Sequence, residues 1–260
     1  MAEPVLLERD GHLAIVTLNR PEARNAVTME MAHALEAHID TIEADPALWV
    51  VVLTGAGPSF CAGVDLKAVA AAGRDLAKAA PVTPRGGFGG IVNRKRTKPW
   101  IVAVEGAALA GGTEIVLSCD LVVAARDAVF GLPEVKRGLV AGAGGTLRLP
   151  RVLPLNLAMH LVLTGERLEA ERAHAHGWVT VLAEPGGARA AAVALAQQIL
   201  ANAPLSVRES RQLLLDGLGK RDEEGFALVA PVVDRLMRTN DLLEGPRAFA
   251  EKREPRWTGT

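Results

Sequence analysis

Cysteine is scarce in this chain. Of 260 residues only two, Cys61 and Cys119, are cysteines, far apart and without a C-x-x-C pair. That excludes a disulfide framework and a zinc ribbon and points to a reducing, cytoplasmic setting. No run approaches the ~18 apolar residues of a membrane span, and the N-terminus, MAEPVLLERDG, carries Glu3 and Glu8 where a signal peptide needs an apolar stretch. Nor is there an excess of charge of either sign. The 29 basic and 30 acidic residues leave a net charge of −1, so neither nucleic acid nor an anionic membrane is expected as the main partner.

Several motifs are missing too. The chain contains no G-x-x-x-x-G-K-[ST], no H-E-x-x-H and no G-x-S-x-G. Gly55-x-Gly57 follows a strand pattern, but Phe60 occupies the third glycine position of a dinucleotide fingerprint and Pro58 interrupts the turn. His174 and His176 stand two apart in a helical pattern, so they point to different faces and read as surface or packing residues. There is no internal repeat.

What is present alternates. Val5–Glu8 and Leu13–Leu18 read as strands joined by a turn at Asp10-Gly11. Apolar residues at Met31, Leu35, Ile39 and Ile42 have helical spacing, with Thr28 as N-cap. Trp49–Leu53 is a valine-rich run of the kind buried on both faces of a parallel sheet. A helix is expected to begin near Asp65, and residues 81–90 read as a mobile loop. Asn93–Lys98 reads as a basic patch ahead of a further strand, Ile101–Val104. Alternation of this kind predicts an α/β fold. Beyond Gly145 the pattern turns helical, interrupted by one strand at residues 178–182. The expected organisation is a core over residues 1–200 and a helical oligomerisation region over 201–260.

The organising stretch is Trp100–Glu134. A buried strand runs into a Gly/Ala turn, which opens a helix with Gly111-Gly112 at its head and Glu114 in its first turn. A second strand follows, and the stretch ends at Pro133-Glu134. A helix N-terminus offers unpaired N–H groups and partial positive charge, a suitable place for an oxygen that is becoming negative. Taken singly, Glu114 is an ordinary helix-start acid and Glu134 an ordinary turn residue. Two acids beside two glycine-rich turns, the other being Ser59–Lys67, favour chemistry.

These motifs, in order, resemble the enoyl-CoA hydratase/isomerase (crotonase) superfamily. The matching pieces are Asn19-Arg20-Pro21, Phe60-Cys61-Ala62-Gly63-Val64-Asp65-Leu66, Lys98–Ala103, Gly111–Glu114, Phe130–Glu134, Gly144–Leu149 and Glu244–Arg253. The Gly-Phe-Gly-Gly segment and Leu-Pro-Glu look like carnitinyl-CoA dehydratases, whereas Ala110–Glu114 looks more like actinobacterial hydratases. The resemblance implies a β-β-α spiral core with a helical C-terminal region, an acyl-CoA thioester substrate, and a homotrimer or dimer of trimers. It places the oxyanion hole at the backbone N–H groups of Val64 and Gly111, and the catalytic acids at Glu114 and Glu134. Along the CoA moiety it places Arg24, Ala62, Asp65, Leu66 and Lys67, with Phe249 and Lys252 contributed by the C-terminal helix. Val64 stands where most relatives have Ala, and Leu132 where many have Gln. No metal or cofactor is implied, since coenzyme A is part of the substrate. The reaction expected is hydration of a 2-enoyl-CoA. Carnitinyl-CoA dehydration, Δ3,Δ2-isomerisation and non-catalytic acyl-CoA binding remain as alternatives.

Overall fold

The computed structural model describes residues 3–65 and 80–260. Its centre is a six-stranded sheet in the order β1-β2-β3-β6-β8-β11. The hairpin of β1 (Val5–Asp10) and β2 (Leu13–Leu18) is antiparallel. From β2 onward, β3 (Val50–Gly55), β6 (Trp100–Val104), β8 (Leu121–Ala125) and β11 (Val181–Ala183) all run parallel. Parallel strands need crossovers that cover both faces, which explains their continuous apolar runs.

Alternate residues of each strand feed two cores. Val51, Leu53, Val102, Val104 and Val122 meet Met31, Leu35, Ile39 and Ile42 of α1 (Met29–Ala44). Thr28 caps that helix, its hydroxyl accepting from the Met31 N–H at 3.3 Å. On the opposite face Val50, Val52, Ile101 and Val123 meet Ala188, Ala192 and Ala196. These alanines repeat every four residues along α6 (Ala188–Leu200), so one smooth stripe lies close against the sheet.

A second sheet positions the chemistry. Here β9 (Val129–Gly131) lies between β7 (Ala107–Leu109) and β10 (Arg167–Glu169). The chain leaves β6 at Glu105-Gly106 and enters β7 at once. A Cβ at Gly106 would lie 2.1 Å from the Pro58 carbonyl oxygen, and its φ is +55°, so only glycine suits this corner. The expected Gly/Ala turn is thus partly a strand, and β10 was not anticipated.

Two other expectations need correction. Residues 81–90 are not a mobile surface loop. They form a short hairpin of β4 (Val82–Thr83) and β5 (Gly87–Phe88) seated on α1. Thr83 donates to Glu36 at 2.7 Å, and a Cβ at Gly90 would lie 2.1 Å from the Ala32 carbonyl oxygen. Its glycines permit close packing, where composition alone suggested flexibility. The basic patch expected at 93–98 is only partly one: Lys95 is exposed, but two of its cations are buried. Lys98 is 1% exposed and donates to the Ile42 and Asp45 carbonyls at the end of α1, while Arg96 is buried over the Trp100 ring. The helix expected from Asp65 falls on residues outside those described.

Between β7 and β8 lies α2 (Gly111–Val116), and beyond β9 come α3 (Gly145–Val152), α4 (Leu155–Thr164) and α5 (Ala170–Ala175). After α6 the chain forms α7 (Pro204–Gly217), α8 (Asp222–Leu236) and α9 (Asn240–Glu251). Residues 257–260 fold back on the body. Trp257 donates to the Ala201 carbonyl at 2.8 Å, and Asp241 accepts from the Thr258 and Gly259 N–H groups. No single helix among the described residues is long and apolar enough to cross a membrane.

Candidate active site

Two backbone turns meet at the carboxyl end of the parallel sheet, where α/β folds usually place their ligands. The first follows β3. Cys61 pairs with β7, its N–H donating to Ala107 and its carbonyl accepting from Leu109 at 2.9 Å. The chain then turns at Gly63, whose φ is +90°. A Cβ there would sit 2.9 Å from the Ala110 Cβ and 3.2 Å from the Gly111 nitrogen. Glycine is needed to let the two turns touch.

The second turn starts α2. Ala110 has φ 52° and ψ −125°, a sparsely populated conformation for a residue with a side chain, of the strained kind found at functional sites. It is held there by its N–H, which donates to the Gly131 carbonyl at 2.8 Å. The Thr113 hydroxyl locks the same corner, donating to the Ala108 carbonyl at 2.7 Å and accepting from the Gly131 N–H at 3.1 Å. The Val64 and Gly111 N–H groups make no hydrogen bond to another described residue. The Phe88 ring closes over Gly111, where a Cβ would fall 2.3 Å from the ring edge.

Glu114, one turn into α2, is 3% exposed. One carboxylate oxygen, Oε1, accepts from the Gly145 N–H at 2.9 Å, at the head of α3. Burial pushes its pKa up to about 7, and the neighbouring Glu134 charge adds to the rise. N–H donors from Gly145 and Ala143, with the Arg148 charge, act the other way. Glu134 sits in the short 3-10 turn Pro133–Arg137. Its Oε2 is buried without a hydrogen-bond partner among the described residues, and burial raises its pKa as well. Leu132, 2% exposed, lies against Gly145.

The structure therefore brings Val64, Gly111, Glu114 and Glu134 into one centre. Ala62 and Asp65 flank it. The Ala62 N–H donates to the Arg24 carbonyl at 3.0 Å, and Asp65 lies 3.4 Å from Arg20. Arg24 is exposed on the same loop, in the left-handed conformation. Leu66 and Lys67 lie outside the described residues. Among the described residues no hydrogen bond or ion pair links Phe249 or Lys252 to this centre within one chain; Phe249 is 86% exposed. His174 packs locally, its Nδ1 2.8 Å from the Val179 carbonyl. A cleft of about 650 Å³ opens beside Leu109, Gly131 and Pro133, rimmed by Lys136, Arg137 and Arg167.

Sequence reasoning missed the hold of Gly145 and Ala143 on Glu114. The signal was present in the Gly142–Gly145 run, whose glycines precede and open α3. It also missed the Arg148 side chain, which lies by the same turn.

Residues 8–260 match the enoyl-CoA hydratase/isomerase family. The chain belongs to that family. It is 40% identical over 251 residues to the enoyl-CoA hydratase EchA19 of Mycobacterium tuberculosis, covering 96% of this chain and 94% of that protein. It is also 38% identical to the carnitinyl-CoA dehydratase of Salmonella arizonae, with both chains fully covered. The crystal structure of an enoyl-CoA hydratase from Mycobacterium tuberculosis superposes with a TM-score of 0.94 at 49% identity over the whole of both chains. The two sheets and their helices are thus the crotonase-type fold that the sequence motifs implied.

Proposed function

We propose that the protein is an enoyl-CoA hydratase that adds water reversibly, in syn fashion, across the C2=C3 bond of a 2-enoyl-CoA thioester. The observation that carries this reading is a buried carboxyl, Glu114, and a half-buried one, Glu134, beside two backbone turns in contact. Attack of water at C3 moves an electron pair onto the thioester oxygen. The Val64 and Gly111 N–H groups, free of partners among the described residues, are the donors for that developing charge. Losing one such donor typically costs about 3–4 kcal/mol of barrier.

Water also needs a base, and C2 needs a proton. A base works best with a pKa near the operating pH, and Glu114, pushed up to about 7, meets that condition. It takes the proton from water. Glu134, also raised, delivers a proton to C2 and withdraws it in the reverse direction. Two like-charged acids side by side, with the Glu134 charge adding to the proton affinity of Glu114, suit one base and one acid. The chemistry as written needs neither metal nor redox cofactor. Dehydration of a carnitinyl thioester is the same chemistry run in reverse, and the Salmonella relative's name keeps that acyl group in view. An isomerase reading explains Glu114 less well, because moving a double bond requires no activated water.

The CoA moiety is assigned to Arg24, Ala62, Asp65, Leu66 and Lys67. Phe249 and Lys252 approach it from a neighbouring subunit. The exposed apolar side chains Leu214, Phe226, Leu243 and Phe249 on α7, α8 and α9 support assembly into a homotrimer or a dimer of trimers, in the cytoplasm. Light scattering coupled to gel filtration tests this; a monomer at micromolar concentration rejects it.

The deciding experiment follows the conjugated-thioester absorbance of crotonyl-CoA, then of longer and branched 2-enoyl-CoA esters. Loss of absorbance by the wild type, and not by Glu114→Gln or Glu134→Gln, supports hydration by paired acids. Turnover of 3-enoyl esters alone would replace it with isomerisation. Tight binding without turnover of any ester would replace it with a carrier role.

A further inference from the structure

The hydratase reading leaves Arg148 without a role, although it lies by the turn that holds Glu114. We propose that Arg148 is a positioning residue: its guanidinium braces the residue 141–145 turn whose N–H groups grip Glu114, and its charge keeps that carboxylate available as a base. The inference rests on the assignment of Glu114 as the water-activating group.

The geometry is specific. Glu114 is held by the N–H of Gly145, the first residue of α3. Arg148 lies one turn further on, its own N–H donating to the Gly144 carbonyl at 2.8 Å. Its side chain folds back over that turn. A Cβ built at Gly144 would lie 2.6 Å from Arg148 Nη1 and 3.3 Å from Cζ, so the guanidinium occupies the space a side chain would fill. Nη2 donates to the Val92 carbonyl at 2.5 Å, just beyond the hairpin that carries Phe88. Arg148 thus ties α3, the glycine turn and the Phe88 hairpin together behind the acid. Nη1 is buried without a hydrogen-bond partner among the described residues. That donor goes unused, as expected of a group kept for its charge.

The charges around the pair are few. Glu114 faces Glu134, which raises its proton affinity, and Arg148, which lowers it, together with the Gly145 and Ala143 N–H donors. Arg148 in turn faces Arg96 from the segment before β6, Arg151 on its own helix, Cys119 beyond α2, and Glu114. Against the like-charged Glu134 stand first the Gly145 and Ala143 N–H donors and then Arg148, the one cation of the set. Arginine also has the planar fork to reach Val92 and cover Gly144 together. Lysine would keep the charge and lose the brace.

The test separates charge from brace. In Arg148→Met, the acid limb of the kcat/KM–pH profile moves up by about one unit, with KM for crotonyl-CoA unchanged within twofold. In Arg148→Lys the limb stays near the wild-type position while kcat falls. A merely structural arginine would lower kcat at every pH and leave the limb in place. A second readout does not depend on turnover. The side-chain carboxyl carbons of 13C-labelled glutamate are titrated by NMR, with the Glu114 signal assigned by its loss in Glu114→Gln. Its midpoint rises by about one unit in Arg148→Met and holds in Arg148→Lys. An unmoved midpoint in folded Arg148→Met overturns the proposal. If Arg148→Met does not fold, a midpoint that rises by about a full unit in Arg148→Lys does the same, because the charge is still there. If no enoyl ester is turned over, the NMR result still decides the role of Arg148, and only the hydratase reading fails.

Discussion

The two ends of the parallel sheet bury charge in opposite ways. At the amino end, signs are mixed and most groups are matched. Lys98 meets two carbonyls at the end of α1, Asp120 accepts from Arg211 and from the Trp100 N–H at 2.8 Å each, and Glu43 accepts from the Thr97 hydroxyl. Arg96 leaves Nε and Nη1 unbonded, but its face lies 4.9 Å over the Trp100 ring and it donates to Ser118; Glu43 leaves Oε1 unbonded, but beside the charge of Lys98. At the carboxyl end, two acids of one sign stand together, and Glu134 Oε2 has no hydrogen-bond partner among the described residues. Burial shifts a pKa at both ends, pulling Lys98 down to about 8 and pushing Glu114 up to about 7. The shift alone therefore does not mark a site. Like charges held together, with an oxygen left unmatched, do mark one, because stability alone never favours that arrangement.

Removing an acid should break this contrast most sharply. Glu134→Gln removes the proton donor to C2 while keeping shape, and turnover is expected to fall about 10²–10⁴-fold with KM for the thioester nearly unchanged. Glu114→Gln should lose a similar factor. Steady-state kinetics on whichever 2-enoyl-CoA the wild type accepts measures both. Near wild-type rates in either variant would remove that acid from the mechanism.

The contact between the turns comes next. In Gly63→Ala the new Cβ would meet Ala110 at 2.9 Å, on a backbone with φ +90°. The Val64 N–H must then move away from Gly111. Displacements of this size cost roughly 10²-fold in rate, and the loss should fall on kcat. A loss confined to KM would mean that the two N–H groups bind substrate without favouring the transition state.

Much of this was readable before any coordinates. The α1 spacing, its Thr28 cap and the valine-rich β3 each follow from local pattern. So do the positions of Glu114 and Glu134, given the motifs around them. Three-residue strands such as β9 and β10 are too short to show a period, and they form because β7 supplies a neighbour. The glycines of residues 81–90 looked like flexibility because composition does not distinguish freedom from close approach. The grip of Gly145 on Glu114 spans 31 positions, and no local rule reaches that far. For the same reason the basic run 93–98 does not show that Lys98 is buried against the end of α1.

At the amino end the consequence should be structural only. Lys98→Met keeps the apolar stem and leaves the Ile42 and Asp45 carbonyls without their charged donor. Hydrogen bonds to charged groups and buried acceptors left unmatched suggest a loss of about 2–3 kcal/mol in stability. Denaturant unfolding measures it, and kcat at a permissive temperature should stay within about twofold, because a side chain that touches no reacting atom carries no transition-state interaction to lose. A variant that stays stable yet loses activity would erase the distinction between the two ends.

The smallest effect runs the other way. Glu114 binds its proton more tightly when folded than an ordinary glutamate does when unfolded. Between about pH 4.5 and 7 the folded state therefore holds more protons than the unfolded state, and stability falls as pH rises through that window. Glutamine keeps an acceptor for the Gly145 N–H and carries no charge to bury. Glu114→Gln should thus stabilise the protein above pH 7, by about 1–2 kcal/mol out of the ~3 kcal/mol that the full shift represents. Below pH 4.5, where the wild-type carboxyl is already protonated in both states, the gain should vanish. Thermal melts at pH 8 and pH 4.5 make the comparison. A variant inactive yet more stable only at the higher pH would show that burying this acid lowers stability in return for catalysis. Equal melting at both values would mean that Glu114 is not strained by its burial, and its fitness as a base would need another source.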